Sequence, residues 1–265
     1  MAAASAERDP TLEAQLARHL DGWTIHAFQR VTSTMEVAHE LAAGLPAAPA
    51  AQVGGAQERT LVWAAQQEQG RGRLGRKWES PDGGVYLSLI LRPSRPMPEV
   101  PQLSLVAGLA TVEAIQRVTN LFCAIRWPND LLLAGKKVCG ILVEARDGAA
   151  VIGIGINVAV DPRELPEIAT SLRAAGASAD PYHLTGELCR RFAAWYDVWT
   201  REGFGPIREA LRPWIGIFGQ PVHIAAGADR FEGTASDLDD SGRLLVRLDS
   251  GLLRPFDMGE VTLLR

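Results

Sequence analysis

Between two apolar, β-rich stretches, Thr60 to Ala65 and Val85 to Arg92, the chain carries Gly70-Arg71-Gly72-Arg73-Leu74-Gly75-Arg76-Lys77-Trp78. No other segment constrains the fold as strongly. Two buried strands must be joined by a long connection, and loops of this length are usually functional or disordered. The loop packs four cations with no acid into a chain whose formal net charge is −4. Such concentrated charge is costly unless an anion binds. The glycines let backbone bend closely around a ligand, and arginine forks hold phosphate or carboxylate oxygens in two-pronged fashion. Alone, the segment also reads as a flexible nucleic-acid tail or a solvated turn. The acidic balance of the whole chain speaks against a general nucleic-acid binder.

Around this loop the pattern alternates between strand and helix. Thr11 to Leu20 is one short helix on Leu12, Leu16 and Leu20, too little for a helix-turn-helix reader. Trp23 to Phe28 reads as a strand. Met35 to Leu41 reads as a helix, with Ser33 or Thr34 as its cap. Ala42 to Arg59 reads as a loop. Gln102 to Val118 repeats apolar residues at helical spacing, and β-like stretches follow at Cys123–Trp127, Asp130–Leu133, Val138–Ala145 and Ala150–Val158. Helices are expected over Tyr182–Thr200 and Pro206–Trp214. After Gly219 come five short strands with turn residues between them, ending at Val261–Leu264, which predict a small β-barrel. The expectation is an α+β chain with an N-terminal extension over 1–22, a main domain over 23–215 and a small barrel domain over 216–265.

Several function classes fall away. No run approaches a membrane span, and the alanine-rich start carries Glu7, Arg8 and Asp9 where a signal peptide needs apolar residues. Cys123, Cys139 and Cys189 show no metal-ligand spacing and suit a reducing, cytoplasmic setting. Gly153-Ile154-Gly155-Ile156-Asn157 is half of a dinucleotide fingerprint without its third glycine or following helix, and no GxxxxGK[ST] loop exists.

Two further motifs have chemistry to offer. Arg126-Trp127-Pro128-Asn129-Asp130 joins an indole, on which an adenine could stack, to two hydrogen-bonding side chains. Asp130 there could hold a metal ion or orient a nucleophile. The plain alternative is core packing and a turn. Lys136-Lys137-Val138-Cys139-Gly140-Ile141-Leu142-Val143-Glu144 sets a lysine at the start of a strand, suited to charge that develops in nucleotidyl transfer, or merely a polar hairpin turn.

Taken in order, Ser33-Thr34, Gln67 with GRGRLGRKW, RWPND, KKVCGILVE and GIGIN resemble the biotin–protein ligase family, from about Val31 to the end, where Gly259-Glu260-Val261 matches the family's closing strand. The resemblance implies a class II synthetase-like α+β catalytic domain, with a mixed sheet and flanking helices, plus an SH3-like C-terminal barrel. It is to members without an N-terminal DNA-binding module. It implies that biotin is activated with Mg-ATP to biotinyl-5'-AMP and then passed to a lysine of a biotin carboxyl carrier protein. No nucleic acid or membrane partner is expected, and a homodimer is compatible. Biotin would meet Ser33, Thr34, Gln67, Arg71, Arg73 and Lys137. ATP would meet Arg73, Arg76, Trp78, Arg126, Asn129 and Asn157. Lys137, Arg73 and Asp130 would serve catalysis, and magnesium would arrive on ATP rather than in a protein-held metal site.

Two positions depart from the family pattern. Met35 stands where Asn is usual, and Arg126 where Lys is usual. Rival readings are a lipoate or octanoate ligase of the same fold, a nucleic-acid-binding module, and a non-catalytic biotin sensor.

Overall fold

The computed structural model describes residues 7–44, 59–226, 229–257 and 260–263. Of the loop expected over Ala42–Arg59, residues 42–44 instead continue the preceding helix and 45–58 lie outside the described residues, as do residues 1–6, Gly259 and Leu264. Helix α1 (Pro10–Ala17) starts where Asp9 accepts hydrogen bonds from the amides of Thr11 (2.8 Å) and Leu12 (3.1 Å). Its Leu12 and Leu16, with Leu20 beyond, are buried in the main core. Then follow β1 (Thr24–Val31), α2 (Thr34–Gly44), β2 (Thr60–Gln67), β3 (Gly84–Leu91), α3 (Leu103–Thr119), β4 (Ala124–Arg126), β5 (Asp130–Leu133), β6 (Lys136–Arg146), β7 (Ala149–Asn157), α4 (Pro181–Glu202) and α5 (Gly205–Leu211). The seven strands form one mixed sheet in the order β1-β2-β3-β7-β6-β5-β4, with β1 and β2 parallel and the other neighbours antiparallel.

Alternation along the strands divides the core into two. On β2, Leu61 and Trp63 join the larger cluster with α3 and α4, while Val62 and Ala64 join a smaller one with Met35 and Ala38 of α2. On β7, Ile152, Ile154 and Ile156 belong to the α3 side. Gly153 and Gly155 therefore face the α2 side, where they line a pocket.

The remaining strands, β8 (Pro221–Ala226), β9 (Asp229–Leu238), β10 (Leu244–Leu248), β11 (Leu253–Phe256) and β12 (Glu260–Leu263), form an antiparallel sheet in the order β11-β10-β9-β8-β12. The expected barrel is not closed among the described residues: β11 and β12 are the two edges of this sheet and no ladder joins them. Val222, Ile224, Leu244 and Val246 share the main core, so the small sheet is packed onto the large unit. At the contact, the Trp127 indole N–H donates to the Gly242 carbonyl at 3.0 Å. Gly242 has φ +79°, and a Cβ there would come within 3.2 Å of Leu105 and 3.3 Å of Phe204.

Candidate active site

The pocket has a floor of glycines. Gly140 of β6 pairs with Gly155 of β7, and Leu142 with Gly153. A Cβ on Gly155 would fall 2.5 Å from Trp78 Nε1, one on Gly140 2.9 Å from the same indole, and one on Gly153 2.7 Å from the Met35 sulfur. Trp78 and Met35 thus lie flat on bare backbone, which only glycine permits. The GIGIN segment is here a strand that presents its glycines to one face. It lies within the β-like stretch expected over Ala150–Val158, and the period-two glycine inside that strand is the sequence signal for such a close approach.

One wall is a relay of hydrogen bonds between neutral groups. Ser88 donates to Thr34 Oγ1 (2.9 Å), Thr34 donates from its amide (2.9 Å) and hydroxyl (3.0 Å) to Gln67 Oε1, and Gln67 Nε2 donates to Ser80 (2.9 Å). These bonds fix the Gln67 amide in one orientation. The Ser33 hydroxyl is buried without a partner. The expected side-chain cap of α2 is therefore not made by either residue: Ser33 contributes only its carbonyl, to the amides of Glu36 and Val37, and Thr34 is committed to Gln67.

The opposing wall carries the cations. The loop after β2 is a tight hairpin, with Trp78 N donating to Gly70 O (2.8 Å), Gly72 N donating to Arg76 O (2.7 Å), and Leu74 and Gly75 at φ +57° and +71°. That order is foreign to a flexible tail. Arg73 donates to Asn129 Oδ1 at 2.8 Å, and Asn129 in turn donates to the Ile141 carbonyl at 3.0 Å. Lys137 Nζ lies 2.7 Å from Asp130 Oδ1 and 5.3 Å from the Trp78 ring centre. Its backbone is held between Ile168 O and Thr170 N, both at 2.9 Å. Arg126 reaches the second oxygen of Asp130 at 2.5 Å. Arg71 is paired with Glu144.

Of the predicted site residues, Thr34, Gln67, Arg71, Arg73, Trp78, Asn129 and Lys137 line this one pocket. Asp130 and Arg126 adjoin it through Lys137. Asn157 is buried at the end of β7, donating to Thr170 O at 3.0 Å, with its Oδ1 unpartnered. Arg76 is exposed on the loop and does not line the pocket. Trp127 is only 2% exposed and its N–H is spent on Gly242, so no adenine stacks on it. For that indole the core-packing alternative is the right one. Met35, Gly140, Gly153 and Gly155 complete the lining.

The face of the mixed sheet combines a glycine floor, a fixed amide and two clustered cations, a site suited to holding a small molecule that carries an anionic group. Residues 29–161 match the Biotin/lipoate A/B protein ligase family, and residues 217–264 match the Biotin protein ligase C terminal domain. The chain belongs to the Biotin/lipoate A/B protein ligase family. It is similar to the bifunctional ligase/repressor BirA of Bacillus subtilis, 37% identical over 84% of this chain and 69% of the relative. It is also similar to the biotin–[acetyl-CoA-carboxylase] ligase of Paracoccus denitrificans, 36% identical over 72% of this chain and 85% of the relative. A solved biotin protein ligase from Aquifex aeolicus in complex with biotin and ATP superposes with TM-score 0.76 at 30% identity, covering 91% of this chain and 99% of that one.

Proposed function

We propose that this ligase activates biotin with ATP to biotinyl-5'-AMP and pyrophosphate, and then transfers biotin to a lysine of the carrier protein of a biotin-dependent carboxylase. The observation that carries the reading is the meeting of Arg73 and Lys137 with Thr34 and Gln67 in one pocket. A cyclic urea needs fixed neutral donors and acceptors, which Thr34 and Gln67 offer, with the unpartnered Ser33 hydroxyl next to Thr34 in the chain. Its carboxylate needs cations. In the first step a carboxylate oxygen attacks the α-phosphorus and pyrophosphate leaves. Arg73 and Lys137 offset the repulsion between the two anions and stabilise the charge that builds up, a service whose loss costs about 3–4 kcal/mol per group. Asp130 orients Lys137 and is itself steadied by Arg126, while Arg71, Trp78 and Asn129 complete the contacts inside the pocket; Arg76 and Asn157, which lie outside its lining, belong to the nucleotide side in this reading. In the second step the carrier lysine attacks the acyl carbon and AMP departs. No nucleophile on the enzyme is needed.

Magnesium belongs to this reading as an ion carried by the triphosphate. Asp130 has both oxygens taken up by cations, and the described residues contain no group of three acids, histidines or cysteines that could cage it. The reading also divides the chain into an extension (1–22), a catalytic domain (23–215) and a C-terminal domain (216–265). It places the protein in the cytoplasm, which three buried free cysteines support, and assigns it no nucleic-acid or membrane partner. No described helix is long and apolar enough to cross a membrane. A homodimer is compatible with it, since β1 and β4 are edges of the large sheet.

Biotin-dependent exchange of pyrophosphate into ATP tests the proposal. The wild type should exchange with biotin and not with lipoate, and Lys137→Ala should lose exchange by at least a hundredfold. Arg73→Gly should release biotinyl-5'-AMP into solution instead of holding it. Exchange with lipoate alone would assign the site to the lipoate branch of the family, and exchange with neither acid would rule out the activation step.

A further inference from the structure

Glu144 belongs to no step of the reaction, yet it ties together two walls of the pocket. It lies on β6 two residues beyond Leu142 and four beyond Gly140, so its side chain emerges on the same face as the glycine floor. From one side it meets His39 of α2, with Nε2 2.6 Å from Oε2. From the other its Oε1 accepts from Arg71 of the arginine loop. His39 follows Met35 by one helical turn, so the two share a face of α2: Met35 covers Gly153 and His39 reaches the carboxylate.

A carboxylate paired only with an exposed arginine samples several rotamers, because both side chains are long and hydrated. Here the imidazole is largely buried, at 13% exposure, and rides on a helix. Since a carboxylate only accepts, Nε2 carries the proton of this hydrogen bond and holds Oε2 in one place. Oε1 then has one place too, and so does the Arg71 guanidinium.

Resting on the proposed function, we infer that His39 is a positioning residue which, through Glu144, fixes Arg71 and with it the arginine loop over the biotin half of the pocket. His39 touches no reacting atom. Its loss leaves the chemistry intact and loosens the loop that encloses the acid.

The test compares His39→Leu, which keeps bulk and removes the donor, with His39→Gln, which restores an N–H. In pyrophosphate exchange His39→Leu should raise KM for biotin about tenfold, with kcat and KM for ATP within about twofold, as expected for misplacement rather than lost chemistry. His39→Gln should recover most of it. Adding His39→Leu to Glu144→Ala should change nothing further, because both act through one contact. Independently of activity, trypsin should cut the full-length His39→Leu protein within residues 71–77 about tenfold faster than wild type, with the thermal midpoint recorded alongside. A wild-type KM for biotin in His39→Leu, no rescue by Gln, or an unchanged cleavage rate would overturn the inference. A wild type without biotin-dependent exchange would overturn the functional reading alone, and the cleavage rate would still decide whether His39 holds the loop.

Discussion

At the scale of single residues, the site depends on side chains that are absent. Gly155 and Gly140 leave room for the Trp78 indole, which then lies 5.3 Å from the Lys137 ammonium. A methyl at 155 would stand 2.5 Å from Nε1, closer than van der Waals contact allows, and the atom it meets belongs to a rigid ring. Gly155→Ala should therefore push the indole off the floor and disturb Lys137. The expected outcome is a fall in biotin-dependent exchange of about tenfold or more, with a shifted tryptophan emission and near-wild-type thermal stability. Met35 shows the same geometry over Gly153. A methionine where the family favours Asn gives up an amide and supplies an apolar lid for a bare strand.

Among elements, the most informative contact joins the RWPND turn to the β9–β10 turn. Asp239 shapes that turn, accepting from the amides of Ser241 and Arg243 at 2.9 Å each. The turn presents the Gly242 carbonyl to Trp127. Trp127→Phe keeps an aromatic ring there but is smaller, so it leaves a small cavity and a buried carbonyl without its donor. It should cost about 1–3 kcal/mol of stability, read as a lowered denaturation midpoint in urea with an unchanged slope. The salt bridges nearby, Arg208–Asp240 and Arg212–Asp237, involve exposed groups, and each contributes about 0–1 kcal/mol. Burial of Val222, Ile224 and Val246, not charge, holds the small sheet in place.

For the whole molecule, the larger of the two core clusters, on the α3 side of the large sheet, decides chemical behaviour as well as stability. Cys123, Cys139 and Cys189 are all inside it. Burial pushes the Cys123 thiol up to about 12 and raises those of Cys139 and Cys189 as well. A thiol so far above neutral pH holds almost no thiolate, the reactive form. The native protein should therefore leave all three unmodified by a disulfide reagent at pH 8, and titrate three thiols once denatured. Rapid modification of the native protein would show that the core opens far more readily than its packing implies.

How much of this was legible beforehand follows from the range of the forces involved. Local pattern determines elements, so the alternation of β2 and β3, the helical spacing of α3 and the cation-rich loop between two buried strands could be read from the chain itself. Their motifs, in order, were enough to reach the family. Three things were not legible, because each depends on which distant residues meet. Trp127 turned inward because Gly242, 115 residues on, offers the carbonyl it needs. The glycines of GIGIN became a floor because Gly140 came to lie beside Gly155 and Trp78 above both. His39 gained a role only when Glu144 was brought to it by the pairing of β6 with β7. Sequence by itself determined the kinds of groups available and the strands and helices that carry them. Only the tertiary structure decided their partners, since hydrogen bonds and close packing act over a few ångströms and the chain must first be folded to bring such atoms within reach.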